Sequence, residues 1–179
     1  MSKDRNMHPA RTNQKLYFAR LQLTQMEAAL ADSTAFDSEP RALSSREAAI
    51  WHLHSALGAF MQELSRFYKV QPAVTTPEAM AEAMAKRSQV SPEAQILLQL
   101  LDDPQSWLAQ LRRLHDACYL PVALPDIAVE DESPARIAIP LVMTTEDAPL
   151  SEPDRAVLTL IHQALTQAIR DFRAELVEF

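Results

Sequence analysis

The sequence predicts an all-α protein, an antiparallel up-and-down helical bundle of four to six helices with a long Pro-rich arm before the last helix. Three observations carry the prediction. The 179 residues include one glycine, Gly58, against twelve prolines, where average usage of about 7% gives roughly a dozen glycines. Glycine supplies the positive-φ turns of β-hairpins and the close backbone approaches of phosphate loops and nucleophile elbows. Turn-rich β folds and several classes of active site are therefore disfavoured together. Leucines and phenylalanines recur at heptad spacing through residues 43–67. Finally, prolines follow a Ser, Thr or Asp at helix starts, where a missing N–H is harmless.

The first long helix is predicted from Thr12, its N-cap, to Ala31. Leu16, Ala19, Leu23, Met26 and Leu30 fall at three- and four-residue steps and form one packing seam. Asp32 to Pro40, rich in Ser, Asp and Thr, is a connection. The second helix, Arg41 to Lys69, carries Leu43, Ile50, Leu57 and Leu64 every seven residues, with Leu53, Phe60 and Phe67 interleaved. Such heptads indicate left-handed packing at crossing angles of about 20°. Gly58 lies inside this helix, where it costs up to about 1 kcal/mol relative to alanine; a closely approaching neighbour helix accounts for it.

Three shorter helices open at Thr76-Pro77-Glu78, Ser91-Pro92-Glu93 and Asp103-Pro104. The last of these aligns Trp107, Leu108, Leu111, Leu114, His115 and Cys118 on one stripe. From Tyr119 to Pro149, five prolines forbid a long helix, and alternating Ile137, Ile139, Leu141 and Met143 mark a short edge strand or extended chain. Ser151-Glu152-Pro153-Asp154 then caps a final helix reaching about Val177, with Leu158, Ile161, Leu165, Ala168 and Phe172 as its seam.

One domain is expected, residues 11–179, behind a loose tail at 1–10 and with 119–150 as an extended acidic arm. A net charge of −7 argues against general nucleic-acid binding, which needs a basic face. The charge is unevenly placed. Residues 1–20 hold five cations against Asp4, whereas residues 126–154 hold eight acids against Arg136. Contact between these segments, within one chain or across a homodimer, is one reading; a solvated loop and tail is the other. Cys118 is the only cysteine, so no intrachain disulfide forms and a reducing compartment is the easier home. With no secretion signal and no apolar run long enough to span a bilayer, the expectation is cytoplasmic, without membrane association.

Chemistry-bearing residues are few. No Glu-x-x-His pair of the di-iron bundle type occurs, and His52 and His54 diverge on a helix, so neither a metal nor any cofactor is expected. Arg46 and His52 fit the loose arginine-to-histidine spacing of the helical nuclease superfamily often found in toxin pairs. Six residues rotate a helix by about 240°, however, so the two side chains diverge. Arg46 occupies a seam position, and an antiparallel hairpin register places it near Glu27 as a structural ion pair, with Arg11 and Lys15 near Glu63. A ligand pocket between the first two helices would use Arg11, Asn13, Arg46 and His54 as its polar groups, although the same register sets Arg11 and Arg46 several turns apart. His115 beside Cys118 reads as a buried histidine next to a buried thiol, with no catalytic residue assigned. Trp51 stands off the seam and offers a second contact surface.

The segments Arg11-Thr12-Asn13-Gln14-Lys15-Leu16-Tyr17-Phe18, Arg46-Glu47-Ala48-Ala49-Ile50-Trp51-His52-Leu53, Ser106-Trp107-Leu108 and Phe172-Arg173-Ala174-Glu175-Leu176 resemble a group of small gammaproteobacterial, pseudomonad-type proteins known only as a domain of unknown function. The resemblance covers most of the chain beyond the first ten residues and implies a bacterial, all-helical protein. It brings no activity, cofactor or site residue. The expected function is a non-enzymatic protein–protein interaction or oligomerisation module, partnered by itself or another protein. A small-molecule or nucleotide-binding bundle and a toxin-type ribonuclease are the alternatives.

Overall fold

The structure is a computed structural model that describes residues 7–32, 34–120 and 152–177. Among these residues there are six helices and no strand: α1 (Met7–Ala31), α2 (Ser38–Phe67), α3 (Pro77–Ala85), α4 (Pro92–Asp102), α5 (Trp107–Ala117) and α6 (Glu152–Val177). The acidic arm from 121 to 150, its expected strand and the Ser151 cap lie outside the described residues.

Helices α1 and α2 form a long antiparallel hairpin. Its register is read from two pairs at opposite ends, Thr12 with Glu63 and Asp32 with Arg41. Helix α6 packs against α1, α2 and α5, and α3–α5 close the remaining side against α2 and one another. The core runs along the heptad seam: Ile50, Leu53, Leu57, Phe60 and Leu64 of α2 meet Leu16, Ala19, Leu23 and Met26 of α1 and Leu158, Ile161, Leu165 and Phe172 of α6. Phe60 and Phe172 stack with centroids 5.8 Å apart. Together these helices realise the all-α bundle that the periodicity predicts.

The local start signals work where a side chain completes them. Thr76 accepts from the Ala79 N–H, and Ser91 from that of Ala94, each with proline as the first helical residue. Three helix starts differ from expectation. Helix α2 opens at Ser38, three residues before Arg41. Helix α1 begins at Met7, five residues early, so Thr12 is a buried interior residue and not the N-cap. Helix α5 opens at Ser106 and not at Asp103-Pro104; Ser106 accepts from the Ala109 N–H while Asp103 accepts from the Gln105 N–H in the preceding turn. Leu30 and Phe67 leave their seams for solvent, Ala29 is buried in place of Leu30, and on α6 Ile169 is more deeply buried than the expected Ala168.

The glycine shortage shows at two helix ends. Lys69 and Ser88 take left-handed φ values of 54° and 53°, and the next residues, Val70 and Gln89, donate back to Ser65 and Met84. This is the Schellman arrangement, in which glycine usually occupies the left-handed position. A residue with a Cβ there costs about 1 kcal/mol. Gly58 itself meets no neighbouring helix. The nearest atom to a Cβ built there is the Thr75 carbonyl oxygen at 3.5 Å, from the segment leading into α3.

Candidate functional site

Among the described residues, ionisable and aromatic groups concentrate where the middle of α2 meets the end of α5. His54 and His115 stack with ring centroids 3.7 Å apart and planes 10° from parallel. On its other side His115 meets Trp51 at 4.7 Å and Tyr119 at 5.4 Å, both edge to face, and Trp51 and Tyr119 meet at 5.2 Å. Helix periodicity makes this cluster: Trp51 and His54 are three apart on α2, and His115 and Tyr119 four apart across the end of α5. His115 is buried and His54 half-buried, whereas the other two rings are open, Trp51 being 40% and Tyr119 63% exposed beside exposed Leu120.

Burial and the neighbouring His115 push the His54 imidazole below the ordinary histidine range. Burial, then the Glu47 carboxylate, raises the Cys118 thiol; its Sγ donates to the Leu114 carbonyl. A thiol so placed stays protonated, the opposite of what an activated nucleophile needs. Parallel stacked imidazoles aim their nitrogens sideways, not at a common point. No group of three or more His, Cys, Asp or Glu side chains able to hold a metal occurs among the described residues.

The structure separates the residues proposed for a ligand pocket. Arg11 is exposed and donates to Gln14, and Asn13 accepts from Arg173. Both lie at the level of Glu63, about 25 Å along α2 from Arg46. His54 stacks on α5, whereas Arg46 and Glu47 act on Cys118. Arg46 and His52 likewise part: His52 faces α1, with Phe18 at 5.4 Å and its pKa lowered by burial and then Lys15. The expected pairing of Arg46 with Glu27 does not form. The register brings the two to one level, but Glu27 is exposed and the buried α1 positions there are Met26 and Ala29, so helical phase decides against it.

Glu63 has other partners than the expected Arg11 and Lys15. Arg173 of α6 grips it bidentately, Nε to Oε2 at 3.0 Å and Nη2 to Oε1 at 2.8 Å, and donates from Nη1 to Asn13 Oδ1 at 2.9 Å. The Thr12 hydroxyl also donates a hydrogen bond to Glu63 Oε1. One carboxylate therefore ties three helices. Sequence reasoning missed Arg173, although its place one residue past the seam position Phe172 put it beside α2.

An open cleft of about 470 Å³ lies between the end of α2 and α3, with Lys69, Lys86 and Arg87 on its walls. Arg87 Nη1 donates to the Tyr68 and Lys69 carbonyls, and Lys86 pairs with Glu82 at 2.7 Å. These cations answer the negative ends of two helices, which oppose an anionic ligand there.

A family model described as a family of unknown function (DUF6586) matches residues 7–178. The chain belongs to this family. The match takes in all six helices and the segment between α5 and α6. No curated protein and no solved structure matches the chain. No helix among the described residues is long and apolar enough to cross a membrane.

Proposed function

We propose that this DUF6586 protein is a non-enzymatic helical-bundle module that works through protein–protein contact, its partner being a second copy of the chain. The supporting observation is the open aromatic face of Trp51, Tyr119 and Leu120 at the α2–α5 junction. Aromatic rings with one covered and one open side are the usual anchors of protein interfaces. Charge selects the partner. A basic segment at residues 1–20 and an acidic one at 126–154 make each copy complementary to another, and such complementarity fixes partner choice more than affinity. A single, protonated thiol suits a reducing cytoplasm.

Size-exclusion chromatography with light scattering tests the reading. A dimer at tens of micromolar that dissociates with Trp51→Ala or Tyr119→Ala, while helix content holds, is the expected result. A strict monomer at that concentration overturns it.

A further inference from the structure

The floor of the aromatic face holds an unanswered polar atom. The His115 side chain is nine-tenths buried, and its Nε2 has no hydrogen-bond partner among the described residues. Its Nδ1 faces Asp116 Oδ1 at 3.6 Å. A carboxylate on that side favours the proton on Nδ1, which leaves Nε2 with a lone pair and nothing to accept from. A buried acceptor without a donor is costly and points to a missing partner.

The surroundings define that partner. Trp51, Tyr119 and His115 stand at 71°, 68° and 78° to one another, so each ring sets an edge against another, and two exposed rings flank the buried imidazole that His54 backs. Indole and phenol faces attract cations. The carbonyl end of α5 adds a negative field, and Asp116 and Glu47 supply carboxylates from the two helices, Asp116 facing His115 and Glu47 acting on Cys118 at the end of α5. Of the nearby cations, Arg112 is already paired with Glu78, and Arg46 acts on Cys118 more weakly than Glu47 does.

We propose that this corner seats an alkylguanidinium or alkylammonium group, with an N–H donated to His115 Nε2 and the charge against Trp51 and Tyr119. Nε2 is covered, so admission of the group requires one ring to give way, and Tyr119, beyond the last residue of α5 and largely exposed, is the least enclosed of the three. The site deepens the self-association reading, on which the cation is a Lys or Arg of a second copy from the basic segment at residues 1–20.

The test is a titration followed through the Trp51 indole N–H by heteronuclear NMR, assigned with Trp51→Phe. Butylguanidinium is the probe, tetramethylammonium the cation without an N–H, and butanol the neutral control. Butylguanidinium should give a saturable shift, with tetramethylammonium about tenfold weaker, matching one lost charge-assisted hydrogen bond. Tyr119→Ala should weaken butylguanidinium about tenfold. Equal shifts from butylguanidinium and butanol, or an unchanged titration in Tyr119→Ala, overturn the site; equal binding of the two cations overturns the role of Nε2. Light scattering on the same samples separates the two readings. Dissociation of a dimer by saturating butylguanidinium supports the second copy as the source. A monomer that still binds leaves the seat standing and removes that source, and a dimer indifferent to the probe does the same.

Discussion

Arg173→Ala is the sharpest perturbation of the bundle, because it leaves a nearly buried carboxylate behind. The Glu63 side chain is 10% exposed and that of Arg173 27%. Removing one partner of a fully buried pair costs about 3–5 kcal/mol, while an exposed pair contributes about 0–1 kcal/mol. The observed exposure lies between these limits, and water can follow the truncated arginine to Glu63. A loss of about 2 kcal/mol results, or a fall in Tm of roughly 4–8 °C for a chain of this length. Arg173→Lys keeps the charge and loses the fork, so its cost should be about half as large. The assay is urea unfolding of the wild type, Arg173→Ala, Glu63→Ala and the double variant, read as a cycle. A coupling energy of about 1.5 kcal/mol is expected. A coupling below about 0.5 kcal/mol would refute the claim that this carboxylate pins α1, α2 and α6.

Gly58→Ala should stabilise the protein. The added methyl meets the Thr75 carbonyl oxygen at 3.5 Å and its Cβ at 3.8 Å, both ordinary contacts, so a helix-propensity gain of about 0.5–1 kcal/mol is not cancelled by strain. A lowered Tm would show that the α2–α3 connection needs the glycine for another reason. Stability should also fall as pH drops from 7 towards 5.5. Burial lowers the pKa of His52, His54 and His162, so the unfolded chain takes up protons first as pH passes below about 6.5. Each histidine then removes at most about 1.4 kcal/mol per pH unit. Urea midpoints across that window read the slope, and a flat or rising profile contradicts it.

The long helices were legible because their cores are periodic. One face of α2 must be apolar for three neighbours at once, and leucines and phenylalanines at steps of three and four say so without coordinates. Caps with a proline behind a Ser or Thr were equally readable, since a hydroxyl reaching the third amide is a local event. The ends of α1 and α5 were not, because a helix stops where tertiary contact stops supporting it: Thr12 is interior because Glu63 of α2 receives its hydroxyl.

The sites divide in the same way. Residue types alone marked Trp51 as off the seam and His115 as buried beside Cys118. Their meeting with His54 and Tyr119 depended on how α5 lies across α2, a pairing about sixty residues distant in the chain that no spacing rule encodes. The same holds for Glu63, whose level on the hairpin followed from register, whereas its partner followed from rotation of α6. Along a helix, order and pitch are written in local chemistry. Which faces turn towards each other is settled only when the rods pack, since a rotation of one residue, about 100°, exchanges a buried neighbour for a solvated one.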